Sequence, residues 1–320
     1  MLLKSFGFRG AAALLAALSL AVQPALAAQE AEKQAEAKPQ PVVQDYQPNP
    51  AIWLLHDEDT KIYMFGTIHM LPPGFKWRSP ALEAAVKEAD ELVVETYIAP
   101  GEEEEMFGAQ LLPLFILPKP KPILERVPKQ HRAALRRQIE ASELPLEGWS
   151  MMRTWAAAMM LGMTSALKGW GVEDPDDAPG VEDVLEADFR SAKKPILSIE
   201  KAEDSIAHFG ALTEAQQVEL LVDAVADAGK PAVRDEEEEA DHHWAKGNLT
   251  EVDAWLWKDF PKSLYEGLVV KRNAAWTEWL AERMKKPGVM LLAVGAGHLT
   301  GPDSVQKMLE AKGLRAERHR

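Results

Sequence analysis

Four short apolar runs in this chain end on, or lead straight into, a residue that can hold a proton or a metal ion. Lys61-Ile-Tyr-Met-Phe65 enters Gly66-Thr67-Ile68-His69, and Met290-Leu-Leu-Ala-Val294 enters Gly295-Ala296-Gly297-His298. Glu91-Leu-Val-Val-Glu95 ends on Glu95, and Pro195-Ile-Leu-Ser-Ile-Glu200 ends on Glu200. Apolar runs of this length, bounded by turn residues, read as β-strands. In open α/β sheets the carboxyl ends of the strands face the ligand crevice. If these four strands are parallel neighbours, His69, Glu95, Glu200 and His298 meet on one rim.

The rest of the chain supplies an α/β pattern around them. Ile52-Trp-Leu-Leu-His56 and Lys61–Phe65, separated by Asp57-Glu-Asp-Thr60, predict a hairpin. Ser79-Pro80 is an N-cap and first-turn pair for a helix over Pro80–Ala89, so the opening reads β-β-α-β. The stretch Glu102–Trp170 reads as mainly helical, with an acidic start at Glu102–Glu105 and a buried helix over Met151–Leu167. Helices are expected over Val181–Ala192, across Thr213–Met284 and over Pro302–Ala311, and a last edge strand over Leu314–His319. Asp241-His242-His243 reads as a solvated helix face, because adjacent residues on a helix point about 100° apart and share no ligand geometry.

Lys4 and Arg9, the apolar run Ala11–Val22, Pro24 and Ala25-Leu26-Ala27 have the layout of a cleavable secretory signal peptide over residues 1–27. The apolar run is shorter than the roughly 20 residues a membrane span needs, so no transmembrane segment is expected in the mature chain. Residues 28–50, rich in Ala, Glu, Gln, Lys and Pro, read as a flexible linker, and residues 51–320 as one domain. The expected location is periplasmic or secreted. A net charge of -14 excludes a broad nucleic-acid surface, which requires clustered Lys and Arg. The absence of cysteine excludes thiol nucleophiles, Cys-ligated zinc and iron–sulfur clusters.

The two histidines share a local design. Each lies three residues after a glycine at a strand end, and each is followed by a proline, Pro72 or Pro302. The glycines are expected to let the backbone leave the strand at dihedrals other residues resist. Two His with carboxylates suit a divalent metal such as zinc, manganese or cobalt, and a Glu outside the ligand set could serve as general base. The chain has no Gly-x-Ser-x-Gly elbow and no His-Glu-x-x-His helix.

Gly66-Thr-Ile-His69-Met-Leu-Pro-Pro73, Ala89-Asp90-Glu91-Leu-Val-Val-Glu95, Gly180-Val-Glu182, Ile199-Glu200, Arg272-Asn273 and Val294-Gly-Ala-Gly-His-Leu-Thr-Gly-Pro302 together resemble the TraB/PrgY/GumN family, whose superfamily includes the Tiki proteases. The resemblance spans about Ala51–His319. It implies a mixed α/β fold, a central sheet flanked by helices with a helical insertion, similar to erythromycin esterases and ChaN-like proteins. It also implies a divalent-metal-dependent peptidase acting on a peptide or protein. Carried over, His69, His298 and Glu95 would hold the metal, with Glu200 or Glu182 positioning or activating water. Arg272, paired with Asn273, is either an oxyanion or substrate-carboxylate contact or an ordinary salt bridge. Glu182 either serves the site or compensates the dipole of the helix it opens. The alternative class is a non-catalytic periplasmic binding protein for a peptide signal, a haem or a polysaccharide-pathway component.

Overall fold

The computed structural model describes residues 42, 44–102, 106–142, 144–228, 234–257, 260 and 262–319. The signal peptide, most of the linker, and Glu103–Glu105 of the acidic run lie outside the described residues, as do Lys258, Asp259 and Pro261. Six strands form one mixed sheet: β1 (Ile52–His56), β2 (Thr60–Thr67), β3 (Glu91–Val94), β4 (Ile196–Ser198), β5 (Gly288–Gly295) and β6 (Glu317–His319). Their order across the sheet is β4-β3-β5-β2-β1-β6.

The hairpin forms where the sequence places it. Asp57 Oδ1 accepts from the backbone N–H of Asp59 and Thr60, which closes the turn between β1 and β2. The two strands then pair antiparallel from Ile52↔Phe65 to His56↔Lys61. β2 runs parallel to β5 from Thr60↔Gly288 to Thr67↔Gly295. β3 lies parallel to β5 on its other side and parallel to β4 beyond. Four parallel strands therefore lie side by side, and the chain reaches β5 last, inserting it between β2 and β3. The carboxyl ends of all four point the same way. That is the convergence the strand-end residues require.

Because β2, β3 and β5 are covered on both faces, they read as continuous apolar runs rather than alternating ones. On one face Phe65, Leu92, Val94, Leu291 and Ala293 pack with Trp77, Leu185, Phe189 and Trp244. On the other, Ile62, Met64, Val93, Met290 and Leu292 pack with Trp276, Leu280 and Leu309. The helical stretch over residues 102–170 shares a third core with later helices: Trp149, Trp155, Met160 and Leu161 pack with Leu221, Leu264 and Leu268. Its main helix is Thr154–Trp170, which starts three residues later than the apolar pattern suggests. Met152 and Arg153 are extended, and Met152 bridges Ile116.

Other boundaries shift in the same small way. Ser79 Oγ accepts from Leu82 N and starts the helix Pro80–Glu88. The helix expected from Pro302 begins at Val305, and the final strand shortens to Glu317–His319. Asp241-His242-His243 is not a solvated face. Asp241 is buried, and His242 Nδ1 lies 2.6 Å from Tyr46 Oη, tying the segment before β1 to the helix Arg234–Ala245. No helix among the described residues is long and apolar enough to cross a membrane.

Candidate functional site

His69, Glu95, Glu200 and His298 all sit at the shared carboxyl rim, each just beyond the strand that carries it. β2 ends at Thr67, and the chain turns so that Ile68 O accepts from Val181 N. Gly180 is pressed against this turn. A Cβ there would stand 2.3 Å from His69 O, so only glycine permits the approach. The turn delivers Glu182, in the first turn of the helix Val181–Ser191, to His69. Glu182 Oε1 lies 2.6 Å from His69 Nδ1 and also accepts from Thr67 Oγ1. Both ring nitrogens of His69 are buried without a partner in hydrogen-bond geometry among the described residues: Glu182 stands beside Nδ1 as an ion-pair contact, whereas Nε2 faces Glu95 Oε1 across 4.0 Å.

Glu95 follows β3. Its Oε1 accepts from Gly295 N at 2.8 Å and lies 4.0 Å from His69 Nε2 and 3.8 Å from His298 Nε2. Its Oε2 accepts from Arg272 Nη2 at 2.5 Å. Gly295 forms the floor between these groups. A Cβ there would stand 3.2 Å from both Glu95 Oε1 and His69 Nε2. The expected reason for the two strand-end glycines is therefore corrected. Neither has a positive φ. What the site needs from them is the missing methyl, because a Cβ on Gly66 would likewise meet Ala296 Cα at 3.0 Å.

The helix Lys271–Arg283 closes the rim and supplies three residues. Arg272 donates to Glu95, to both oxygens of Glu200, and to Leu268 O, and its Nη1 lies 3.1 Å from His298 Nε2. An arginine has no acceptor, so His298 Nε2 accepts and its proton sits on Nδ1. Nδ1 in turn faces Asn273 Oδ1 at 2.6 Å, while Asn273 Nδ2 donates to Asp303 O. Trp276 donates from Nε1 to Glu200 Oε2, and its ring lies 4.3 Å from that of His298. The sequence reading missed Trp276. Its signal was the spacing: four residues after Arg272, it occupies the same helix face.

The electrostatics follow from burial and one cation. Burial alone would raise Glu95, but the charges of Arg272, His298 and His69 and the Gly295 N–H outweigh it and hold the carboxyl at about 2. Burial also dominates at Glu200 and raises it, against the pull of Arg272. His298 is lowered to about 3, by burial and then by Arg272, so it is neutral near pH 7. His69 goes the other way. Burial lowers it, but Glu182 and Glu95 overcome that and raise it. Arg272 is held charged by Glu95 and Glu200 despite its burial.

These residues lie on one rim, and their spans match a family model for the TraB/PrgY/gumN family over residues 51–318. The chain belongs to the TraB/PrgY/gumN family. This family member is 26% identical over 261 residues to a protein described as uncharacterized, YbaP of Escherichia coli strain K12, covering 81% of this chain and 92% of YbaP. It is equally similar to the YbaP of Shigella flexneri, at 26% identity over the same length. No solved structure matches the chain.

Whether the site suits a divalent cation can be judged from its donors. The kinds are right: two imidazole nitrogens and a carboxylate oxygen, with each Nδ1 facing an acceptor at 2.6 Å, as metal-binding histidines require to present Nε2. The buried, unpartnered His69 Nε2 is the donor most in need of a ligand. The spacing is wider than coordination. Among the described residues no group of three or more His, Asp or Glu side chains already stands where it could hold a metal. Arg272, with Nη1 at 3.1 Å from His298 Nε2, occupies part of the space between the donors.

Proposed function

We propose that this protein is an exported hydrolase of peptide bonds, assisted by a divalent cation. The observation that carries the reading is the buried Nε2 of His69, with no acceptor among the described residues nearer than Glu95 Oε1 at 4.0 Å, while Glu182 Oε1 stands 2.6 Å from Nδ1. His69 Nε2, Glu95 Oε1 and, once Arg272 Nη1 gives up its contact with it, His298 Nε2 would hold the cation, and zinc, manganese and cobalt all accept such a donor set. When bound, the cation lowers the pKa of water and polarises a carbonyl.

The chain's own residues have distinct parts in this reading. Glu182 and Asn273 fix the two imidazole rings so that both Nε2 atoms face Glu95. Arg272 keeps Glu95 ionised and links it to Glu200. Glu200, the second carboxylate on that guanidinium, is the group we assign to proton exchange with the leaving amine. Export rests on Lys4, Arg9, the apolar run Ala11–Val22 and Ala25-Leu26-Ala27.

The test is elemental analysis and calorimetric titration of zinc, manganese and cobalt into the purified native chain and the His69→Ala/His298→Ala double variant. Hydrolysis of an unfolded protein is followed in parallel. The expected result is cation binding by the native chain only, with hydrolysis absent in the double variant. Undiminished hydrolysis by metal-free His69→Ala protein would overturn the reading.

A further inference from the structure

β4 is the outermost strand at one edge of the sheet, and the chain leaves it for the site. Its inner side is paired with β3, where Leu92 N donates to Pro195 O and Ile199 N donates to Val94 O. In a parallel ladder alternate residues turn their backbone groups to the same side. Pro195, Leu197 and Ile199 therefore face β3, and the N–H and C=O of Ile196 and Ser198 face outward. Nothing in the described chain pairs with that outer side. Leu197, at 43% exposure, is the exposed large apolar side chain among the described residues. It lies opposite Val93, on the sheet face packed by Trp276. Natural sheets cover or charge such an edge, and this one carries neither a charged side chain nor a proline from Ile196 to Ser198.

We propose that β4 is the substrate-docking edge, where an extended segment of a peptide adds as a seventh strand through Ile196 and Ser198 and sets an apolar side chain against Leu197. The proposal rests on the peptidase reading and names how that site takes its substrate. Continuity with the site commits the edge to this occupant. Two residues after Ser198 the chain reaches Glu200, whose carboxylate lies 2.5 Å from Arg272 Nη2 and is joined through it to Glu95. A strand on the outer side of β4 would be three strand spacings from β5, about 14 Å at 4.8 Å each. The docked segment is thus not the one cut. The bond brought to His69 and Glu95 lies about four extended residues along the same peptide, at roughly 3.3 Å per residue. This chemistry selects an unfolded or loop segment with an apolar residue about four positions from the cleaved bond, since only extended backbone offers a free ladder.

Ser198→Pro tests this directly. The substitution removes one outward N–H, and proline is tolerated on the free side of an edge strand. Ser198→Ala is the control, because Ser198 Oγ also accepts from Tyr97 N. The probe is fluorescein-labelled, unfolded β-casein, with binding read by anisotropy on the full-length chain and cleavage read by gel. Loss of one hydrogen bond of typical strength predicts about tenfold weaker binding for Ser198→Pro, and little change for Ser198→Ala. The amides of Ile196 and Ser198 should gain hydrogen-exchange protection when casein is added. Equal binding by Ser198→Pro and Ser198→Ala, no binding by the native chain, or a native dimer that Ser198→Pro dissolves would each overturn the proposal. Casein bound at β4 but left uncut would instead sink the peptidase reading and leave the docking edge standing. Casein cut at an unchanged rate by Ser198→Pro would do the reverse.

Discussion

A methyl group at position 295 would stand between Glu95 Oε1 and His69 Nε2, 3.2 Å from each, and the local backbone, at φ -48° and ψ 135°, is one that any residue can adopt. The space between Glu95 and His69, rather than conformational freedom, accounts for the glycine. Gly295→Ala should therefore change stability by no more than about 1 kcal/mol while weakening cation binding by about 10- to 100-fold, the range for disturbed metal-site surroundings. Thermal unfolding and calorimetric titration check the two halves separately. A variant that unfolds early would show that the methyl strains the fold rather than the site alone, and one that binds as the native chain does would show that the rim accommodates it. Arg272 illustrates the other side of residue-scale logic. Its sequence left a substrate contact and a salt bridge open, and the structure shows its guanidinium engaged with Glu95, Glu200, Leu268 O and His298.

Elements are joined by a few polar contacts beside the apolar core, and one of these has a pH signature. Tyr63 on β2 donates to Glu88 Oε2 at the end of the helix Pro80–Glu88. Burial first, and then the hydrogen bond and charge of Glu88, push Tyr63 up to about 12. A group whose folded pKa is raised contributes stability that is complete below its unfolded value and is lost as pH rises through the folded one. The protein should therefore lose stability between about pH 10 and pH 12. Tyr63→Phe should flatten that loss while lowering stability near neutrality, as shown by denaturant unfolding across the range. An identical alkaline slope in the variant would mean that Tyr63 does not carry it.

At the scale of the whole molecule, the sheet has two unlike ends. β4 is bare and borders the site, whereas β6 covers β1 by three antiparallel pairs and brings His319 against Tyr63. β6 lies on the far side of β1 from the parallel strands that carry the site. Deleting residues 317–320 should cost about 1–3 kcal/mol of stability and leave cation binding intact, since β1 separates β6 from the strands that carry the rim. Chemical denaturation beside calorimetry would show it, and loss of binding with retained folding would contradict it. The helical stretch over residues 102–170 packs through a tryptophan- and methionine-rich core that later helices complete with Phe209, Leu221 and Leu264. Its helix Thr154–Trp170 ends at Gly171, whose φ of 66° lies in the left-handed region that favours glycine.

Much of the fold was legible because its signals are local. The hairpin is written in Asp57 and the flanking runs, and the first helix in Ser79-Pro80. The strand ends His69, Glu95 and His298 are legible because a run buried on both faces must be apolar until it stops, and Glu200 because it closes a short apolar run of its own. Boundaries drifted where tertiary contacts override propensity, as when the bridge from Met152 to Ile116 delays the following helix. No local pattern could assign His242 to Tyr46 or Trp276 to Glu200, because these contacts join segments that meet only on folding. The sequence by itself determined which residue types stand at the carboxyl ends of the strands. Only the tertiary structure decided that β5 enters between β2 and β3, that Arg272 reaches Glu95, Glu200 and His298 together, and that β4 is left open. The physical reason is that strand order and the reach of a buried cation depend on long-range packing, which hydrophobic periodicity does not encode.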